Sequence, residues 1–159
     1  MQLRIDHARP DDSPVIAQML GELLREIMAL VGTKTFGFHQ EEIETPARSW
    51  ITDGKYSVVL ARDGVQPEPI GFLALYESYA LHTEGAYGTI PEFYVRPAHR
   101  SKGIGAALMA EARRLGQSRG WRRIEVTTPS LPQFDRTMAF YQREGFNISG
   151  GRKLKLELP

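Results

Sequence analysis

The sequence predicts an α/β fold of three layers: a mixed, mostly antiparallel sheet with a central parallel β-α-β step and helices on both faces. Three patterns point to it. An amphipathic repeat follows a first strand-like run, a hairpin pattern occupies the middle of the chain, and a later apolar run is followed by a helical stripe and another strand. That last step requires parallel pairing with a right-handed crossover. A chain of 159 residues can bury its own core, and with no repeat or linker in view residues 1–159 are expected to form a single domain.

Gln2 to Ala8 reads as the first strand. Ser13 before Pro14 marks a helix start, with the hydroxyl expected as N-cap and proline at the first helical position. Val15/Ile16, Met19/Leu20, Leu23/Leu24 and Ile27/Met28 then recur every four residues up to Gly32. Thr33 to Thr45 is ambiguous, and a short helix is expected over Ala47 to Thr52. "YSVVLARDG" and "EPIGFLALYES" are two strand runs joined by turn residues, and "GTIPEFYV" is a third run. Ile104, Leu108, Ala112 and Leu115 form a helical stripe that closes at Gly116 to Gly120. "WRRIEVTTP" is a further strand, Phe134 to Glu144 a helix stopped by Gly145, and "KLKLEL" alternates as a final strand.

Composition narrows the function. Apolar and charged fractions of 42% and 25% are those of a globular protein. A net charge of +1, from 20 basic and 19 acidic residues, gives no support for nucleic acid as a partner. The absence of cysteine excludes disulfides, thiolate metal sites and an acyl-cysteine intermediate; no metal is expected. The first residues lack an apolar leader core, and no apolar run approaches membrane-spanning length. A cytoplasmic protein without membrane association is the expectation.

The chemistry-bearing stretch is "VRPAHRSKGIGAALM". A Walker A loop would need GxxxxGK[ST], but Tyr56 follows the Gly54-Lys55 pair and Ser49 stands at the first glycine position. A dinucleotide fingerprint would start directly after a strand, whereas Arg96 to Lys102 intervene here and Leu108 occupies the third small position. What remains is Arg100-x-x-Gly103-x-Gly105-Ala106 opening a helix. Unpaired N–H groups and the positive dipole end suit a diphosphate there, and glycines admit the main chain close to it. Arg96, His99, Arg100 and Lys102 would add charge. Taken alone, the pattern also fits a plain helix entry with solvated basic residues.

With the strand "IPEFYV" before that loop and "FYQREGF" some thirty-five residues after it, the stretch from Thr89 to Phe146 resembles the GNAT superfamily of acyl-CoA-dependent N-acyltransferases. The resemblance implies a GNAT-like fold and acetyl-CoA as co-substrate, its pyrophosphate held by the main chain of Arg100, Ser101, Lys102, Gly103, Ile104, Gly105 and Ala106. It also implies a bulged preceding strand whose Phe93, Tyr94 and Val95 main-chain groups pair with pantetheine; Pro91 is compatible with a bulge or a sheet edge. Tyr141 stands where many members carry a general acid. One departure is that Phe134 occupies a position often held by a cofactor-contacting Asn.

Amine acylation needs a proton acceptor, because an alkylammonium is neutral in only about a few molecules per ten thousand at pH 7. Glu92 is the leading candidate base and His82 a weaker one. Val95 or a neighbour could donate an N–H to the developing oxyanion, and a phenol such as Tyr141 could protonate the departing thiolate. The absence of GxSxG and of cysteine favours direct transfer in a ternary complex. Phe36 and Phe38 with Glu41, Glu42 and Glu44 could receive an aromatic or cationic amine, or form a solvated helix face. The expected activity is acetylation of a small-molecule primary amine. Protein N-termini or lysines as acceptors, a silent acyl-CoA sensor and a nucleotide oxidoreductase are the alternatives. The last strands and the first helix offer surfaces for a homodimer.

Overall fold

Pro69 to Leu75 are buried without a break, the mark of a strand covered on both faces. In the computed structural model, which describes residues 1–32, 37–83 and 85–159, this run begins the central strand β3 (Pro69–Ala80). The chain divides into two compact units, 1–127 and 128–159. In the first unit the strands β1 (Leu3–His7), β2 (Ser57–Asp63), β3 and β4 (Gly85–Ile90) lie in sequence order, each antiparallel to the next. Beyond β4 comes β6 (Ile124–Val126), and β5 (Phe93–Val95) pairs with β3. The β4–β6 pair is parallel, Gly88 opposite Ile124 and Ile90 opposite Val126, as the predicted crossover requires.

Alternation along the strands builds two core layers. Val58, Leu60, Phe72, Ala74 and Tyr94 face α1 (Ser13–Val31), which contributes Ile16 and Met19. Val59, Ala61, Leu73 and Leu75 are buried on the opposite face, where α3 (Ile104–Ser118) lies along β1, β2, β3 and β5 with Leu108, Met109 and Ala112 inward. Helix α2 (Gln40–Thr52) packs on α1. The indole of Trp121 fills a notch between α3 and β4. A Cβ on Gly88 would stand 2.3 Å from that ring and one on Gly116 3.0 Å from it, while the indole N–H donates to Glu77 at 2.7 Å.

Several boundaries differ from expectation. Ser13 does not cap α1; its hydroxyl, fully buried, donates back to the Pro10 carbonyl at 2.6 Å, closing a 3-10 turn over Pro10–Asp12. Helix α2 begins seven residues earlier than Ala47, since Pro46 falls inside it without ending it. The third apolar run is two strands, broken at Pro91 and Glu92.

In the second unit, a 3-10 turn over Pro132–Phe134 leads into α4 (Asp135–Arg143). The predicted final strand over Lys153–Leu158 is not formed. Leu154, Leu156 and Leu158 are more than four-fifths exposed, so alternation there lacks both a ladder partner and an apolar surface to cover it.

Candidate active site

The break between β4 and β5 is a bulge. Tyr76 faces Thr89 and Leu73 faces Phe93, so three steps along β3 are matched by four along its partner. The extra residue falls where Pro91 has no N–H to give a ladder. Ala74 N–H donates to the Glu92 carbonyl and Arg96 N–H to that of Ile70, both at 2.9 Å. The alternation of an antiparallel pair then turns the Tyr94 main chain toward β3, and that of Phe93 and Val95 away from it. Gly71 permits the close pairing, for a Cβ there would sit 2.8 Å from the Tyr94 carbonyl oxygen.

Glu92 sits at this break with its carboxyl partly buried. Removal from water pushes its pKa up to about 7, the Tyr56 hydroxyl opposing the rise by donating to both carboxylate oxygens at 3.4 Å. Tyr56 is itself raised far above the ordinary phenol range, by burial first and by the neighbouring carboxylate second, so it remains a neutral donor. Its ring stands between Trp50, 5.1 Å away by centroid, and Tyr76, stacked at 6.0 Å. Tyr56, Trp50 and Tyr76 carried no signal in the sequence beyond strand and helix propensity.

After Val95 the chain makes a 3-10 turn over Pro97–His99 and enters α3 through Arg100 to Gly103. Ser101 and Gly103 are both left-handed, with φ of 63° and 80°, and Ser101 is the one non-glycine residue of positive φ among those described. Left-handed residues in so short a loop turn successive N–H groups to one side, the geometry of an anion nest. No side chain caps α3, its first turn holds no acid, and its first internal bond runs from Ala107 N–H to the Gly103 carbonyl. The amides of Ile104, Gly105 and Ala106 therefore have no intrahelical acceptor and lie at the positive end of the dipole. Exposed Lys102 makes no ion pair among the described residues. These donors fit a diphosphate.

The two arginines are engaged elsewhere. Arg100 donates to Glu26 at 2.9 and 3.0 Å and to the Val95 carbonyl at 2.8 Å, with its guanidinium 5.6 Å from the Tyr94 ring centroid. Arg96 bonds Glu22 and Glu68, and Tyr94, its phenol pushed up to about 12 by burial and then by Glu22, donates to Glu22 at 3.3 Å. Their side chains thus bind the end of β5 to α1, leaving the amides and Lys102 as the donors toward an anion. Sequence reasoning missed Glu22 and Glu26, which read only as the polar face of an amphipathic helix. His99 Nδ1 is buried without a hydrogen-bond partner among the described residues.

The other candidates of the first unit are dispersed. His82 is exposed on the 3-10 turn after β3, beyond Ala80, which is itself six residues or roughly 20 Å along the strand from Ala74. Phe38 packs against α1, with Gly21 leaving room for its ring and Arg25 5.3 Å above it, and it fastens the approach to α2. Phe36 lies outside the described residues. Glu41 and Glu42 are exposed in the first turn of α2, and Glu44 accepts from Gln40. In the second unit, Tyr141 is buried between Phe140 and Phe146, with centroids 5.6 and 5.4 Å away, and burial pushes its phenol up to about 12. Phe134 is buried at the entry to α4, a packing role that a cofactor-contacting Asn would not fill. Among the described residues no group of three or more His, Asp or Glu is placed to hold a metal ion, and no helix is long and apolar enough to cross a membrane.

A parallel β4–α3–β6 step whose helix opens beside a bulged strand is the frame of an acetyltransferase. The chain belongs to the acetyltransferase (GNAT) family, whose family model matches residues 22–146. No curated protein matches. An integron cassette protein from the mobile metagenome of Cole Harbour Salt Marsh has a similar fold, with a TM-score of 0.79 and 23% identity over 98% of this chain and 90% of its own. An aminoglycoside acetyltransferase from an uncultured soil metagenomic sample superposes with a TM-score of 0.74 at 22% identity, covering 100% and 99%. A ribosomal-protein-alanine N-acetyltransferase from Brucella melitensis biovar Abortus 2308 does so at 0.73 and 18%, covering 99% and 100%. At such identities the likeness is one of fold.

Proposed function

We propose that this chain moves the acetyl group of acetyl-CoA to a primary amine of a small molecule, by direct transfer within a ternary complex. The observation that carries the reading is Glu92: a partly buried carboxyl at the strand break, held by the Tyr56 hydroxyl, whose proton affinity lies near neutrality, as a general base requires. The amides of Ser101 to Ala106 hold the diphosphate, and the main chain of Phe93 and Val95 pairs with pantetheine, whereas that of Tyr94, expected to join them, is turned into the β3 ladder. Glu92 takes the proton of the ammonium, directly or through water. The amine nitrogen then bonds to the acetyl carbon, with the Val95 N–H turned to the oxygen that gains charge. The carbon–sulfur bond breaks, neutral Tyr141 gives its proton to the thiolate, and the second proton that the nitrogen sheds as the amide forms returns to the phenolate through water.

The family match runs through both units, which supports reading 1–159 as one acetyltransferase domain. Similarity to a protein named an aminoglycoside acetyltransferase supports a small-molecule amine, and similarity to one named a ribosomal-protein-alanine N-acetyltransferase keeps protein N-termini in the test. Release of free CoA is to be measured across a panel of small amines, aminoglycosides and peptides. Turnover on a small amine is expected, with Tyr141→Phe lowering kcat more than acetyl-CoA affinity. Tight acetyl-CoA binding with no turnover on any amine would make the protein a sensor instead.

A further inference from the structure

We propose that Tyr56 is a positioning residue for Glu92, its hydroxyl fixing the carboxylate at the strand break and favouring the charged, proton-accepting form. The hydroxyl lies 3.4 Å from each carboxylate oxygen, so it straddles the group and selects one orientation. Its own place is fixed three ways. The Tyr56 N–H donates to the Trp50 carbonyl at 3.1 Å, and its ring packs on Trp50 on one side and Tyr76 on the other. The phenol thus reaches Glu92 from the chain that joins α2 to β2, while Glu92 is held by the β3 ladder through Ala74.

Burial and Tyr56 set the proton affinity of Glu92, and they act in opposite directions. The Tyr76 ring stacks on that of Tyr56, and it is not among the groups that shift Glu92. The charged groups at the far end of β5, Arg96 and Arg100, are paired with Glu22 and Glu26 of α1, whose third charge, Arg25, stands over the Phe38 ring. The phenol is therefore the polar contact that offsets desolvation. A hydrogen bond to the ionised form of a buried acid lowers its pKa, and removing the bond raises it.

The test is a titration of the full chain carrying ¹³C-labelled glutamate carboxyls, with the Glu92 resonance identified by its loss in Glu92→Gln. Tyr56→Phe, which keeps the ring, is expected to move the Glu92 midpoint upward by about 0.5–1 unit. A fluorinated tyrosine at position 56, a stronger donor, is expected to move it downward. Tyr76→Phe, which removes a hydroxyl from the same wall, should leave it in place. A midpoint that stays put in both position-56 variants overturns the proposal. The kinetic arm rests on Glu92 being the base: the acid limb of kcat/KM should follow the midpoint upward in Tyr56→Phe. A midpoint that moves while the limb does not supports the positioning role and removes Glu92 as base.

Discussion

A carboxyl that is half protonated near neutrality stabilises a fold differently on the two sides of that pH. Glu92 has an ordinary value of 4.5 and a folded value of about 7. Across that window the folded chain binds more protons than the unfolded one, so stability falls as pH rises and the loss is complete above the folded value. The span of about 2.5 units corresponds to at most about 3 kcal/mol. Glu92→Gln keeps the shape and removes the charge. It is expected to be more stable than the native chain at pH 8, by up to that amount, and to lose the advantage at pH 5. Chemical denaturation at both pH values checks this, and an equal difference at the two would show that Glu92 titrates as an exposed acid. The same substitution should remove most turnover, a site in which activity is maintained at the expense of stability.

At the level of elements, α3 has a free beginning and a locked end. Its first amides have no cap, and a side chain at Gly105 would stand in the first turn beside them. Gly105→Glu is expected to abolish binding of acetyl-CoA by placing a carboxylate at the anion seat. The native chain should show a rise in Tm with the ligand, about 2.7 kcal/mol of stabilisation at a hundredfold excess over Kd, that the variant lacks. Retained micromolar affinity would mean that the diphosphate sits elsewhere. The far end of α3 is held by Trp121, whose backbone N–H donates to the Gly116 carbonyl while its ring lies against Gly88. Gly88→Ala is expected to cost about 1–3 kcal/mol, because a rigid indole and two backbones cannot yield to a new methyl. A thermal or urea melt measures it, and a loss below about 0.5 kcal/mol would show that the notch can open.

For the molecule as a whole, what periodicity encodes was legible in the sequence and what long-range pairing decides was not. The four-residue repeat of α1, the hairpin of β2 and β3, and the glycine-rich entry to α3 are local patterns, and each stands where expected. Alternation in "KLKLEL" is equally local, yet no strand forms, because an apolar face makes a strand only where something covers it. Pro91 hinted at the bulge, but its consequence, a strand paired with β6 before the break and with β3 alone among the described strands after it, depends on register. Glu92 was singled out as a candidate from its residue type and its place in the strand. Tyr56, Glu22 and Glu26 were not, since their partners lie 36 to 74 positions away in the chain. Those two acids stand one helical turn apart on α1 and restrain the arginines on either side of the 3-10 turn at Pro97. Drift along α1 is consequently not neutral at positions 22 and 26: loss of either acid would release an arginine that ties the end of β5 to this helix.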